Sequence, residues 1–338
     1  MAVLFSTHPA FAEHQPGQGH PERPERLQAV LAGVERSQLD AALVPVSPRP
    51  ATRDELLRVH PASLVDALQR FIEGGAGAID GDTWASAGSW GAALMAAGAG
   101  LDAVERLDAG EGDAAFCAVR PPGHHATPTR AMGFCLFNNV AVTAAALAER
   151  GERVLIVDYD AHHGNGTQDV FWKDGRVAYV SMHEWPLYPG TGALSEAGEG
   201  EGTGWTVNVA LPAGATGDTY REAVEKVVAP LAEEHGSTWL LISAGFDAHR
   251  ADPLTGLGLT AGDFADLTLD LLQLVPAGKQ VAFLEGGYDL EALADCTASC
   301  LVALAGERHA PEAPTAGGPG GHVPEAAALV HLKAREAG

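Results

Sequence analysis

Four short apolar runs, at residues 114–119, 154–157, 239–242 and 281–284, limit the fold most, because a cluster of polar residues follows each of them at once. The runs are continuous and nearly uncharged. Strands with one face in water alternate apolar and polar positions, whereas strands covered on both faces, as in parallel sheets, do not. Two further runs, 177–181 and 206–210, are also strand candidates. Helical patterns lie between them at 140–149, 219–234 and 261–274. The uncharged, Ala/Gly/Ser-rich stretch 83–101 reads as a tightly packed core helix. Strand and helix in alternation imply an α/β fold, with a mostly parallel sheet, right-handed crossovers and helices on both faces. A chain of 338 residues is long enough for one such domain. Folding at that length buries roughly three quarters of the surface, so no disulfide or metal staple is needed.

Charge narrows the partners. Lys plus Arg number 21 against 44 Asp plus Glu, a net charge of −23. A polyphosphate surface would be repelled and no basic block interrupts the acidity, so no nucleic acid is expected as a partner. Cationic substrates would be attracted. None of the four cysteines (Cys117, Cys135, Cys296 and Cys300) forms Cys-x-x-Cys, and the N-terminus has neither a basic region nor a long apolar run. A cytoplasmic protein without disulfides or signal peptide is the expectation. Stretch 83–101 is too weakly apolar to span a membrane, so no membrane partner is expected. The Gly-rich segment 196–204 is acidic and leads into a strand, which is unlike a phosphate loop and suits a surface loop. Residues 1–309 then form the globular domain. Residues 310–321 are a Pro/Gly-rich flexible connector, and 324–336 a short helix. The oligomeric state is left open.

In open α/β sheets, ligands bind beyond the carboxyl ends of the strands. Here those ends carry Arg120-Pro-Pro-Gly-His124-His125, Asp158-Tyr-Asp160-Ala-His162-His163-Gly-Asn165, Ser243-Ala-Gly-Phe-Asp247 and Glu285-Gly-Gly-Tyr288. In extended chain, residues 158, 160 and 162 point to one side. Carboxylate oxygen and imidazole nitrogen suit Zn²⁺, with Mn²⁺ and Fe²⁺ less preferred. Asp160 and His162 supply two ligands, and Asp247 is the best candidate for a third. The plainer alternative is that Asp158 caps the next helix and the imidazoles pair within the core. His124-His125 suits general acid–base work, against one surface and one structural histidine. A phenol at Tyr288, behind two glycines, could donate to a developing oxyanion, although such a turn alone is more often structural.

Taken together, Pro122-Gly123-His124-His125, Gly133-Phe134-Cys135-Leu136-Phe137-Asn138-Asn139, the 158–167 segment, Pro189-Gly190-Thr191-Gly192, Ser243–Asp247 and Glu285–Tyr288 resemble the histone deacetylase family. The segment from Gly19 to Leu27 fits its first loop. The likeness covers about residues 1–305 and is nearest to the class II branch and its bacterial deacetylase-like amidohydrolases. It implies a single arginase-like domain around a largely parallel eight-stranded sheet. It implies one zinc per chain on Asp160, His162 and Asp247, with Asp158 hydrogen-bonded to His124. It assigns His125 as general base and acid, oriented by Asn165 where class I members place Asp, and Tyr288 as oxyanion donor. Zinc would acidify a water. His125 would take its proton during attack on the acyl carbonyl and return it to the leaving amine.

Further roles follow from the same resemblance. A structural potassium would sit on backbone carbonyls of Asp158, Asp160 and His162 with Ser181. A substrate tunnel would be lined by Gly133, Phe134, Tyr188 and Gly286, with Leu254 near its mouth. Arg26 would assist acetate release. Polyamine deacetylases of the family carry Glu after the Asp-Pro that follows the last zinc ligand. Here Asp252-Pro253 precedes Leu254, which leans towards acyl-lysine in peptides or proteins over an acetylpolyamine. Two other classes stay open. A manganese ureohydrolase shares the fold but needs two ions and more carboxylates. A non-catalytic acyl-lysine binder would have no use for His124, His125 and Tyr288.

Overall fold

The computed structural model describes residues 1–39 and 41–337. Eight strands form one sheet: β1 (Val3–Ser6), β2 (Leu43–Val46), β5 (Ala114–Cys117), β6 (Val154–Asp158), β7 (Val177–Glu184), β8 (Thr206–Leu211), β9 (Trp239–Ala244) and β10 (Gln280–Leu284). A small antiparallel hairpin supplies β3 (Gly77–Ala78) and β4 (Trp84–Ala85). The sheet order is β2-β1-β5-β10-β9-β6-β7-β8, and every neighbouring pair is parallel. Its four middle strands are the four apolar runs, and each of their residues is buried. β5 and β6 follow each other in the chain, yet β10 and β9 lie between them. The chain therefore changes direction across the sheet there, and a crevice opens beyond the carboxyl ends.

β1 and β2 had no sequence signal. β1 is four residues long at the chain start, and β2 contains Pro45. Proline is tolerated there because β2 is an edge strand, where one N–H has no partner to lose. β7 runs past its expected end because His183 and Glu184, though polar, are bonded: His183 Nε2 lies 3.0 Å from the Gly192 carbonyl, and Glu184 accepts the Gly256 N–H at 2.6 Å.

Helices Asn139–Glu149 and Ala261–Leu272 fit the periodic segments. The 219–234 pattern spans Gly217–Ala223, a π turn at Val224–Val228 and Ala229–His235. Pro230 lacks the N–H that would bond four residues back, and the widened turn sits just before it. The Ala/Gly stretch is helical only from Ser89, because β4 takes its first residues; the helix is Ser89–Asp108. A Cβ at Gly100 would collide with the Phe283 ring of β10, so its small residues permit close packing on the sheet. Among the described residues, no helix is long and apolar enough to cross a membrane.

The 310–321 stretch is tied down rather than flexible. Thr315 donates to the Asp263 carboxylate through its N–H (2.9 Å) and Oγ1 (2.7 Å), and the Gly317 N–H bonds Asp218 at 2.8 Å. Composition alone points to a loose linker, but here its polar backbone finds side-chain partners. Helix Val323–Ala337 packs along edge strand β8, and its Val323 and Ala327 join the main hydrophobic core.

Candidate active site

The carboxyl ends of β5, β6, β9 and β10 deliver the polar clusters to one place. One donor atom each from Asp160, His162 and Asp247 falls within 4.8 Å of the others, and all three residues are buried. His162 Nδ1 lies 3.2 Å from Asp160 Oδ1 and 2.9 Å from Asp247 Oδ2. Backbone amides fix the remaining oxygens. The Gly286 N–H donates to Asp160 Oδ2, and the Ala161 N–H to Asp247 Oδ1, both at 2.8 Å. One oxygen of each carboxylate is thereby turned towards the imidazole nitrogen. Burial, together with the nearby Asp160 charge, pushes the Asp247 carboxyl up to about 7. Such a cluster could hold a cation. Two oxygens and one nitrogen suit a divalent ion of the zinc kind with a fourth position left open.

The paired histidines lie side by side, with ring centres 4.0 Å apart. His124 Nδ1 is 3.0 Å from Asp158 Oδ2, and the same oxygen accepts the Tyr179 phenol at 3.0 Å. Burial works against charge on His124, but Asp160, Asp158 and Glu285 outweigh it and hold its pKa well above the ordinary value. His125 Nδ1 lies 2.8 Å from Asn165 Oδ1. An amide oxygen only accepts, so the proton sits on Nδ1 and Nε2 keeps its lone pair. Burial, followed by the charges on His124 and His162, holds His125 well below the usual range. It is neutral and able to take a proton.

Above the cluster is a cavity of about 210 Å³, lined by Asp82, His125, Gly133, Phe134, His162, Leu187, Tyr188, Leu254 and Tyr288. Tyr188 packs edge-on to His125 at 5.2 Å, and Phe134 edge-on to Tyr288 at 5.9 Å. Gly133 has φ +59°, and a Cβ there would lie 2.5 Å from the His125 ring. Only glycine admits the wall so close to the base. Burial raises the Tyr288 phenol well above its normal pKa, so it stays a donor.

Of the residues expected in the tunnel, Gly286 packs directly against the cluster, where a Cβ would overlap the Asp247 and Asp160 carboxylates. Arg26 is buried behind the cavity. Its Nε donates to the Gly287 carbonyl at 2.7 Å, its Nη2 to the Glu285 carbonyl at 2.5 Å, and its guanidinium lies 5.0 Å from the Tyr288 ring. Ser181 pairs in register with Asp158, and its Oγ lies 2.9 Å from His183 Nδ1. Sequence reasoning did not find Leu187, which comes from a loop without local pattern, and reached Asp82 only within segment 74–82 as a stretch that could shape the entrance. It gave no role to Glu285, whose carboxylate accepts the N–H groups of Gly123 (2.7 Å) and His124 (3.1 Å). A glutamate straight after a fully buried strand was the available signal.

Comparison with known proteins agrees. The model of the histone deacetylase domain matches residues 20–304. A probable deacetylase of Archaeoglobus fulgidus is 38% identical over 306 residues, covering 88% of this chain and 85% of the relative. A histone deacetylase-like amidohydrolase of Pseudomonas aeruginosa is 36% identical over 298 residues, covering 86% and 78%. The crystal structure of the HDA15 HD domain superposes with a TM-score of 0.91 at 35% identity, covering 98% of this chain and 94% of that one. Fold and relatives thus define an α/β enzyme of the deacetylase and amidohydrolase class. The chain belongs to the histone deacetylase family.

Proposed function

We propose that this chain is a zinc-dependent deacylase that hydrolyses the acyl amide of acyl-lysine in peptides or proteins to a carboxylate and a free amine. The observation that supports the reading is that His162, clustered with Asp160 and Asp247, lines a cavity that His125 and Tyr288 also line. A zinc ion held by those three residues would lower the pKa of a water towards about 7 and polarise the acyl carbonyl. Asn165 orients His125 so that Nε2 is the free nitrogen. His125 takes the water's proton as the amide carbon is attacked, and then gives it to the departing amine. Tyr288 donates its phenol proton in a hydrogen bond to the oxyanion. Asp158 holds His124, and Glu285 holds the backbone before both histidines. Phe134 and Tyr188 flank the aliphatic chain, and Arg26 aids departure of the acid product. A structural potassium on the carbonyls of Asp158, Asp160 and His162 with Ser181 belongs to the same proposal, as does a cytoplasmic location.

One donor group of this kind occurs among the described residues, which favours a single ion over the pair a ureohydrolase needs. A second substrate reading, an acetylpolyamine, draws on Asp82. This carboxylate lines the cavity and could meet a distal ammonium. The test is kcat/KM of zinc-loaded protein on an acetyl-lysine peptide and an acetylpolyamine side by side. Preference for the peptide by more than about tenfold, which is about 1.4 kcal/mol of transition-state binding, upholds the lysine reading. The reverse preference replaces it with the polyamine one.

A further inference from the structure

The chain beyond residue 304 lies outside the span matched by the family's domain model. Part of it nevertheless reaches the loop that builds one side of the cavity. Glu312 stands on the strap that crosses the domain after the last core helix, Leu290–Leu304. His249 Nδ1 accepts the Ala251 N–H at 3.2 Å, so its proton sits on Nε2, which meets Glu312 Oε2 at 2.7 Å. The same oxygen accepts the Ala261 N–H at 3.2 Å, and Oε1 takes Arg250 Nη2 at 2.5 Å. From there the bonding continues inward. The His249 carbonyl accepts the Asp252 N–H at 2.8 Å. Asp252 then divides its carboxylate: Oδ1 accepts the Leu254 N–H at 2.9 Å and Oδ2 the Tyr288 N–H at 2.8 Å. Leu254 and Tyr288 both line the cavity.

We propose that Glu312 is a positioning residue for the reaction, fixing the 249–254 turn and, through Asp252, both the Leu254 wall and the backbone of Tyr288. Three hydrogen bonds in series join the strap to the residue whose phenol faces the substrate. The strap does not depend on Glu312 for its own attachment. Thr315 is bonded to Asp263, and the Ala313 carbonyl accepts Thr260 Oγ1 at 2.9 Å. Removing the carboxylate therefore takes away the strap's hold on the turn without releasing the strap. The turn keeps its backbone bonds, from the Arg250 N–H to the Leu259 carbonyl and from the His249 N–H to the Phe246 carbonyl.

The proposal rests on the deacylase reading for its kinetic consequence only, and the test has two arms. In full-length zinc-loaded protein, Glu312→Ala should speed amide hydrogen exchange about tenfold at Leu254 and Tyr288, with exchange in the central strands unchanged. The same variant should lower kcat/KM on an acetyl-lysine peptide by about tenfold to a hundredfold, since small misplacements near the reacting atoms cost that much. Glu312→Gln keeps an oxygen for His249 and Ala261, and should restore most of both. The kinetic loss should vanish when Glu312→Ala is made in an Asp252→Ala background, because the two act along one line. Unchanged exchange at Tyr288 overturns the proposal whatever the activity. So does faster exchange with unchanged kcat/KM, or losses that simply add. If the unaltered protein turns over no acylated substrate, the deacylase reading fails, and the exchange arm still decides whether Glu312 holds Tyr288.

Discussion

Exchanging Asn165 for Asp tests the base directly. The amide oxygen of Asn165 sits 2.8 Å from His125 Nδ1, and both residues are buried. Asn165→Asp keeps an acceptor in that place and adds one negative charge. Unit charges about 4 Å apart interact by about 4 kcal/mol at an effective dielectric constant near 20. A carboxylate beside a cationic partner shifts a pKa by about 1–3 units, or about 1.4–4 kcal/mol. The sign is fixed, because the carboxylate favours the imidazolium and the pKa of His125 rises. A base must be unprotonated to act, so the acid limb of kcat/KM should move to higher pH by about 1–3 units. Activity should fall on the acidic side, while the alkaline limb stays in place. The assay is the pH profile of kcat/KM on an acetyl-lysine peptide, from about pH 5 to about pH 9, with Asn165→Ala as companion. In Asn165→Ala the imidazole loses its orienting partner, so kcat should drop at every pH. An acid limb that stays where it was in Asn165→Asp would refute the assignment of His125 as the base.

Three further expectations follow from the geometry. Gly286→Ala puts a methyl group into the Asp160 and Asp247 carboxylates; bound metal after dialysis should fall well below one ion per chain, with the fold retained by circular dichroism. Tyr288→Phe removes one oxyanion donor and should lower kcat by about 10²–10³-fold with KM little changed, as for other donors of this kind. Burial pushes His60 down to about 4 from 6.5, and its Nε2 accepts the N–H of Asn138, the cap of helix Asn139–Glu149. The unfolded chain therefore binds the proton first, so this contribution to stability is whole above pH 6.5 and is lost as pH falls towards 4. The loss should be about 2 kcal/mol by about pH 5, and His60→Gln should flatten that slope in urea melts.

The parts of the fold that were legible share one physical cause. β5, β6, β9 and β10 are buried on both faces, so their sequences could not alternate and stood out as apolar runs. The site residues were legible with them, because polar groups directly after such strands have nowhere to go but the crevice. Edge strand β2, with Pro45 and exposed middle positions, carried no such pattern. Gly286 neighbours Tyr288 in sequence, but a glycine has no side chain to point, and the three-dimensional path brings its backbone against the Asp160 and Asp247 carboxylates. Asp82 reaches the cavity from a turn closed by Asp80, whose carboxylate accepts the Asp82 N–H at 3.2 Å and the Thr83 N–H at 2.8 Å. That turn belongs to the small β3–β4 hairpin and not to the carboxyl end of any strand of the main sheet. The tail misled for a similar reason: Pro and Gly describe how freely a chain can move alone, not which partners, such as Asp218 and Asp263, it meets.

Zinc dependence is where the functional reading is most exposed. The decisive experiment counts metal ions per chain while following acetyl-lysine peptide turnover through chelation and zinc return. One ion per chain, with activity lost on chelation and regained with zinc, is the expected result. Two ions per chain, or turnover that survives removal of the ion from Asp160, His162 and Asp247, would contradict it.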